Sequence, residues 1–225
     1  MILLTIDIGN SIAKIKLGNK TIEWIFLMNT INNSTSGDFI VPHKLYQLAN
    51  QVTSQIAFDF PAKHNRRLCI EKILATLQEY LFLNMGRVLV TNHNSTLLYM
   101  RFAHGIDTEK RFISYSIDQG ITGLIFSTRQ AIFADDLATN NMYLGKLCSG
   151  TDLPYTNPAI SGVPIIDSSD NLLGVLCVNH GYRANEELSE IQQVLEHTAT
   201  LISTLLNSKN GNKQYSYTIL SLDQN

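Results

Sequence analysis

Three neighbouring stretches decide the fold of this chain. They are G-I-T-G-L-I-F-S-T at residues 120–128, I-F-A-D-D-L at 132–137, and V-P-I-I-D-S-S-D-N-L-L-G-V-L-C-V-N-H at 163–180. The first predicts a glycine turn that enters a short apolar helix. The second predicts a short strand followed by Asp136 at a helix N-cap position. The third predicts a hairpin, because the polar turn at 167–171 separates two apolar runs.

Longer helices are predicted on both sides of this region. Apolar residues recur at helical spacing over 44–58, 66–82 and 186–206. Strands are predicted at 86–91, 96–103 and 112–117, between the second helix and the glycine turn. Two helices, then strands interrupted by short helices, then a final helix is an α+β order.

The first 27 residues read as extended chain rather than helix. A hairpin is expected around the turn at 18–20, and the polar run at 29–37 reads as a linker. We therefore predict three parts: a strand-rich extension with its linker at 1–37, a domain at 38–208, and a tail at 209–225.

Composition narrows the classes of function. Of the 225 residues, 44% are apolar and 16% are charged, and the net charge is −2. That balance supplies no basic surface for nucleic acid, so direct DNA or RNA binding is not expected. No apolar run approaches the ~20 residues that span a bilayer, so no membrane association is expected. Three cysteines without a C-x-x-C pair suit a reducing cytoplasm.

Five short motifs, in this order along the chain, resemble the GAF domain family: A-H-G-I at 103–106, G-I-T-G at 120–123, D-D-L at 135–137, V-P-I at 163–165 and L-G-V-L at 173–176. Within the family, the resemblance is greatest to the N-terminal sensory domain of nitrogen-fixation-type activators that work with sigma-54. It implies a central antiparallel sheet with flanking helices and a pocket enclosed by short helices and loops. The strand-rich N-terminal extension is additional to that pattern.

The resemblance also implies a non-catalytic sensory domain that binds a small metabolite, forms a homodimer and signals through its terminal helices to a partner protein. It places the pocket beside residues 136–158, and no residue is assigned a catalytic role. The candidate ligand-binding residues are Tyr99, Arg101, Phe133, Asp136, Asn140, Tyr143, Pro164, Cys177 and Asn179.

Three of these candidates have a plainer alternative. Arg101, inside an apolar strand, is either a fork for a carboxylate ligand, for which the resemblance suggests 2-oxoglutarate, or an outward residue on the wet face of the sheet; we favour the second. Tyr143 is either a hydrogen-bond donor to the ligand or a packing residue. Cys177 is favoured as a small apolar core residue over a sensor thiol.

No cofactor is expected. Bilin-binding relatives of the family place a histidine after the anchoring cysteine, whereas Ser149 follows Cys148 here, so no covalent pigment is expected. His104 and His180 have no second histidine or carboxylate at ligand spacing, so no metal site is expected.

Two other functions remain open. One is a structural dimerisation module whose pocket is filled by its own side chains. The other starts from Asp7-Ile8-Gly9-Asn10-Ser11 with Lys14, which resembles the first phosphate motif of actin-like small-molecule kinases. A plain β-turn is the favoured interpretation of that motif, because a single short glycine motif is weak evidence for a kinase.

Overall fold

The structure is a computed structural model. It describes residues 12–17, 20–25, 43–59, 66–92, 94, 96–107, 110, 113–147, 153–155, 157–183 and 185–207. The chain divides into two compact units, Met1–Asp38 and Phe39–Asn225. Residues 1–11 of the expected strand-rich extension, the linker at 29–37 and the tail at 209–225 lie outside the described residues.

The first unit contains the predicted hairpin. Strand β1 spans Ile12–Leu17 and strand β2 spans Lys20–Ile25. They pair antiparallel, with Ile12 opposite Ile25 and Leu17 opposite Lys20. The alternating residues of both runs favour this pairing.

A six-stranded antiparallel sheet forms the centre of the second unit, as the sequence predicts. Its strands are β3 (Met85–Thr91), β4 (Leu97–His104), β5 (Ser114–Ser116), β6 (Ile132–Ala134), β7 (Pro158–Ile166) and β8 (Leu172–Gly181). They lie in the order β5-β4-β3-β8-β7-β6, and every neighbouring pair runs antiparallel. Strands β3 and β8 are therefore central, where both faces of a sheet are covered.

Three long helices lie on one side of this sheet, two of them packed directly on it. They are α1 (His43–Asp59), α2 (Arg66–Leu81) and α4 (Asn185–Asn207). Helix α2 contacts β3 and β4, helix α4 contacts β7 and β8, and α1 packs on both helices. Ile70, Ile73 and Leu77 of α2 are fully buried, because the apolar stripe of an amphipathic helix faces the core.

Helix α3 (Gly120–Thr128) packs on the opposite face, against β7 and β8. Two glycines permit its position. Gly120 has a φ of 67°, and a Cβ there would lie 2.8 Å from Leu144 Cγ. A Cβ on Gly123 would lie 2.6 Å from the Ser116 carbonyl oxygen. The G-I-T-G motif is therefore required both by the turn and by the close approach of helix to strand.

A β-bulge interrupts the pairing of β3 with β4. Val88 is opposite Phe102 and Leu89 is opposite Met100, so Arg101 is the extra residue. A bulge shifts the alternation of side chains by one position. As a result, Met100 and Ala103 both belong to the core on the α3 side of the sheet, although they are three residues apart.

Three local expectations were wrong. Asp136 has a φ of 48°, whereas an N-cap residue needs extended backbone, and its carboxylate accepts a hydrogen bond from the Thr139 hydroxyl. Over 135–147 the chain forms turns and bends rather than the expected short helices. The V-P-I motif predicted Pro164 at the start of a strand, but Pro164 lies inside β7. It lies past Gly162, the last β7 residue paired with β6, at a position where a proline ring is tolerated.

Candidate functional site

A small cavity lies on the α3 side of the sheet. Arg87 of β3 and Ile160 of β7 contribute from the sheet, and the first turn of α3 contributes from above. The segment 142–147 closes the remaining side. The cavity is thus built by the same glycine turn that positions α3.

Arg87 is the unusual residue of this cavity. Its side chain is only 2% exposed, and its Nη1 donates a hydrogen bond to Asn179 Oδ1 at 2.5 Å. Arg87 Nε and Asn179 Nδ2 are both buried without a hydrogen-bond partner. Among the described residues, no carboxylate forms an ion pair with Arg87. A buried guanidinium without a counter-ion costs free energy, because nothing replaces the hydration that it has lost.

The surroundings of Arg87 add further positive charge. The cavity lining includes Lys146, and none of the described residues in that lining is acidic. The N-terminus of α3, at Gly120 and Ile121, also borders the cavity, and no side chain caps it. A helix N-terminus carries partial positive charge and attracts anions. Arg87, Lys146 and the α3 terminus therefore favour the same kind of occupant, a small anion.

The cavity is very small. Its volume is about 10 Å³, which is room for a single water molecule. Three hydrogen bonds hold the covering segment: Ile121 N–H donates to Met142 O at 3.1 Å, Lys146 Nζ to Ser114 O at 2.7 Å, and Lys110 Nζ to Leu147 O at 2.7 Å. A ligand larger than water enters only if this segment moves.

Three of the residues predicted from the sequence lie at or beside this cavity. Tyr143 belongs to its lining, and Asn179 holds Arg87. Cys177 is fully buried in the adjoining core, with its Sγ 3.9 Å from Thr122 Oγ1. Burial raises the pKa of the Cys177 thiol, which keeps it protonated and a weak nucleophile.

The other six candidates lie elsewhere. Tyr99 and Arg101 have exposed side chains on β4, and Asp136 is exposed in the turn after β6. Asn140 accepts a hydrogen bond from the Met142 N–H and shapes the covering segment without lining the cavity. Pro164 is half-buried in β7, away from the lining, and Phe133 lines a groove on the other face of the sheet.

Arg87 is the residue that sequence reasoning missed. It interrupts the apolar run Met85–Val90 just as Arg101 interrupts the apolar run of β4. The signal in the sequence was that the residues around Arg87 are apolar at successive positions rather than at alternate ones. In the structure, all five residues of β3 from Met85 to Leu89 are buried. A strand that is apolar on both faces is central, and a charge within it is therefore internal.

On the α4 face, a buried hydrogen-bonded chain joins β7 to β8. His180 Nδ1 lies 2.6 Å from Gly181 O, and Ser161 Oγ lies 2.8 Å from His180 Nε2. Burial lowers the pKa of His180 to about 4, so the ring is neutral at pH 7. Because a carbonyl only accepts, Nδ1 carries the proton, and the Ser161 hydroxyl donates to Nε2.

Other classes of site find little support in the part of the chain that is described. No group of three or more His, Cys, Asp or Glu residues there is placed to hold a metal ion. None of the described helices combines the length and apolar character needed to cross a membrane. The kinase-like motif at 7–11 lies outside the described residues, as does Cys148.

Comparison with known proteins decides the family. The family model of the GAF domain matches residues 66–206, which run from the start of α2 almost to the end of α4. This chain belongs to the GAF family. The predicted resemblance is confirmed, and so is the GAF-like antiparallel sheet.

A regulatory protein is among the relatives of this GAF domain. The chain is 27% identical over 169 residues to the "Nif-specific regulatory protein" of Enterobacter agglomerans. The match covers 72% of this chain and 32% of the relative, so the chain spans about a third of that protein. GAF domains are commonly regulatory sensory domains, and this relative agrees with that role.

Solved structures show the same fold at low identity. The GAF domain of A. aeolicus nlh2, in an inactive state, superposes with a TM-score of 0.63 at 17% identity, covering 72% of this chain and 97% of that one. The free methionine-R-sulfoxide reductase of Neisseria meningitidis superposes with a TM-score of 0.56 at 15% identity, covering 75% and 96%. Since the second is an enzyme, the fold alone does not separate sensing from catalysis.

Proposed function

We propose that this chain is a non-catalytic sensory domain that binds a small anionic metabolite beside Arg87. One observation carries the proposal: Arg87 is buried, its hydrogen-bond partner Asn179 is neutral, and no acidic side chain lines the cavity in the part of the chain that the structure describes. A carboxylate or similar anion would pair with Arg87 and use Nε and the Asn179 amide N–H groups. The 2-oxo acids suggested by the family resemblance belong to this class.

Ligand entry would displace the segment 142–147. In the small cavity, Leu144 lies against Gly120, so the segment would have to move away from the first turn of α3. An anion would offset the cost of breaking the contacts of this segment by neutralising Arg87 and by occupying the α3 N-terminus. Binding and movement of the segment are therefore two parts of one equilibrium.

The signal would leave through the terminal helices. Asn179 lies near the end of β8, and α4 begins at Asn185, a few residues later. Helix α4 packs on α1, and Ser54 Oγ of α1 lies 2.8 Å from His197 Nε2 of α4. These two helices would form the homodimer seam, and their displacement would be detected by a signalling partner protein in the cytoplasm.

A second function is favoured by the size of the cavity. At about 10 Å³ it holds no more than one water molecule, as expected of a structural dimerisation module without a ligand. Catalysis has less support, because Cys177, which is paired with Arg87 across β3 and β8, is buried and held as a neutral thiol.

A thermal-shift panel separates these functions. We expect 2-oxo acids, dicarboxylates or inorganic phosphate to raise the melting temperature, and the matching amides to have no effect, because only a ligand that binds the native state stabilises it. Arg87→Met should abolish the shift. Arg101→Met, on the neighbouring strand but exposed, is the matched control and should retain it. A flat panel with the wild-type chain would favour the dimerisation module.

A further inference from the structure

A second cleft lies on the opposite face of the sheet from Arg87. It runs between the edge formed by β6 and β7 and the N-terminal half of α4. Its volume is about 240 Å³. A cavity of ~150 Å³ accepts benzene, and pockets for drug-sized ligands begin near ~300 Å³, so this cleft has room for one or two fused rings.

The walls of the cleft are of two kinds. One kind is apolar and comes from both the sheet and the helix: Ile132, Phe133, Val163, Leu188 and Leu195. The other kind is polar but uncharged: Asn185, Ser161, Ser189 and Gln192. Among the described side chains, none in this lining carries a charge, in contrast to the cavity of Arg87. Charged molecules would lose hydration here without gaining a counter-ion, so the cleft selects neutral ones.

Ser161 gives the cleft a defined polarity. Its hydroxyl donates its one proton to His180 Nε2, because His180 Nδ1 is committed to the Gly181 carbonyl. The two lone pairs of Ser161 Oγ remain, so towards the cleft this oxygen is an acceptor only. A ligand group that meets it must therefore be a donor.

The aromatic character of the site comes from Phe133. Its ring stacks on the His180 imidazole, with centroids 5.9 Å apart and planes inclined by 22°. The stack fixes the Phe133 ring as a flat wall beside Ser161. Flat apolar walls favour a planar ring over a branched aliphatic group, because aromatic pairs gain from stacked or edge-to-face contact.

We propose that this cleft binds a small neutral aromatic molecule that donates an O–H or N–H to Ser161 Oγ, a phenol or an indole by chemical class. Because Leu188 and Gln192 belong to α4, such a ligand would directly contact α4, the helix that packs on α1. The site is separate from the Arg87 cavity and does not depend on the function proposed for it.

The experiment is a titration of the full chain with matched probes, followed by NMR. Phenol and indole should bind at least about ten-fold more tightly than anisole and 1-methylindole, which lack the donor, and benzoate should not bind, since a good hydrogen bond in a buried site is worth roughly that factor. Amide signals of 131–133 and 188–192 should shift, while those of Tyr143 and its neighbours should not.

Variants locate the site and test whether the ligand must donate a hydrogen bond to Ser161 Oγ. Ser161→Ala should reduce the preference for phenol over anisole to less than about three-fold, and Ser161→Thr should restore it. If Ser161→Ala does not fold, Leu188→Trp still tests the proposal, because it fills the cleft from the half-buried face of α4 and should abolish binding. Leu124→Trp, at an exposed position of α3, is the matched control and should leave binding unchanged.

Three results would overturn the proposal. The first is equal binding of phenol and anisole to the wild-type chain. The second is phenol binding that survives Leu188→Trp. The third is an absence of binding together with self-association that Phe133→Ala weakens, since a second copy of the chain would then be the occupant of the cleft.

Discussion

The Arg87 guanidinium and the Asn179 side-chain amide meet at 2.5 Å across the two central strands, and each retains a buried nitrogen with no hydrogen-bond partner. Arg87 is 2% exposed and Asn179 is fully buried. Two such groups at the centre of a core reduce stability, since buried polar groups are normally satisfied. A bound anion that accepted hydrogen bonds from these two nitrogens would offset this cost.

The first prediction concerns the stability that this pair costs. Replacing both residues, Arg87→Met with Asn179→Leu, should raise the free energy of unfolding of the ligand-free chain by about 1–3 kcal/mol, because buried charged or polar groups often exchange favourably for apolar residues of similar size. Urea denaturation measures the change. A double variant less stable than the wild-type chain would show that the pair is structural.

The second prediction concerns acid. The pKa of His180 is lowered to about 4 by burial, from an ordinary value of 6.5. Between these pH values the unfolded chain binds a proton that the folded chain excludes, so stability falls as the pH drops from 6.5 to 4. At ~1.4 kcal/mol per unit, the loss is on the order of 3 kcal/mol.

His180→Gln isolates this effect from the other titrating groups. Glutamine retains an acceptor for Ser161 and a donor for Gly181 but does not titrate. Denaturation across this pH range should therefore show a shallower slope for the variant. Equal slopes would mean that His180 is not the group responsible.

The third prediction concerns the turn that enters α3. Gly120→Ala should destabilise the chain by about 1–2 kcal/mol, because the positive φ of 67° is unfavourable for alanine, and its Cβ would also meet Leu144. Adding Leu144→Ala should remove the contact with the Leu144 side chain but leave the cost of the positive φ. Gly86→Ala is the control, since its Cβ would make only ordinary contact at 3.4 Å with Leu74. Similar losses for the two single variants would refute this account of the turn.

The fourth prediction concerns the dimer seam proposed for α1 and α4. Phe58, in the last turn of α1, is 77% exposed, which is unusual for a large apolar side chain. Phe58→Glu should shift the chain from dimer to monomer in sedimentation velocity, while Leu68→Glu on α2 should not. A wild-type chain that sediments as a monomer at high concentration would contradict the seam.

The sequence predicted the elements better than the orientation of their side chains. The helices and the β3–β4 and β7–β8 pairs follow from periodicity and turn residues, which act locally. The bulge at Arg101 does not, because it depends on how β4 pairs with β3. That pairing decides which faces of the two strands meet the core, and therefore why Arg87 is internal and Arg101 exposed.

The turn after β6 was also beyond local reasoning. Asp135-Asp136 followed by Leu137 fits a helix start, but the φ of Asp136 is 48°, and its N–H donates a hydrogen bond to Asn157 Oδ1 at 3.1 Å. Asn157 is 21 residues further along the chain. Contacts between residues this far apart in sequence position the covering segment and hence the candidate site. Local sequence patterns do not reveal such contacts.

Calorimetric titration tests the central claim most directly. A 2-oxo acid that stabilises the wild-type chain should bind it at one site per chain, with the matching amide at least about a hundred-fold weaker, because charge-assisted pairing to a buried guanidinium is strong. Arg87→Met should bind neither. Equal affinity for acid and amide, or undiminished binding of the acid to folded Arg87→Met, would contradict the claim that Arg87 is the anchor of an anion site.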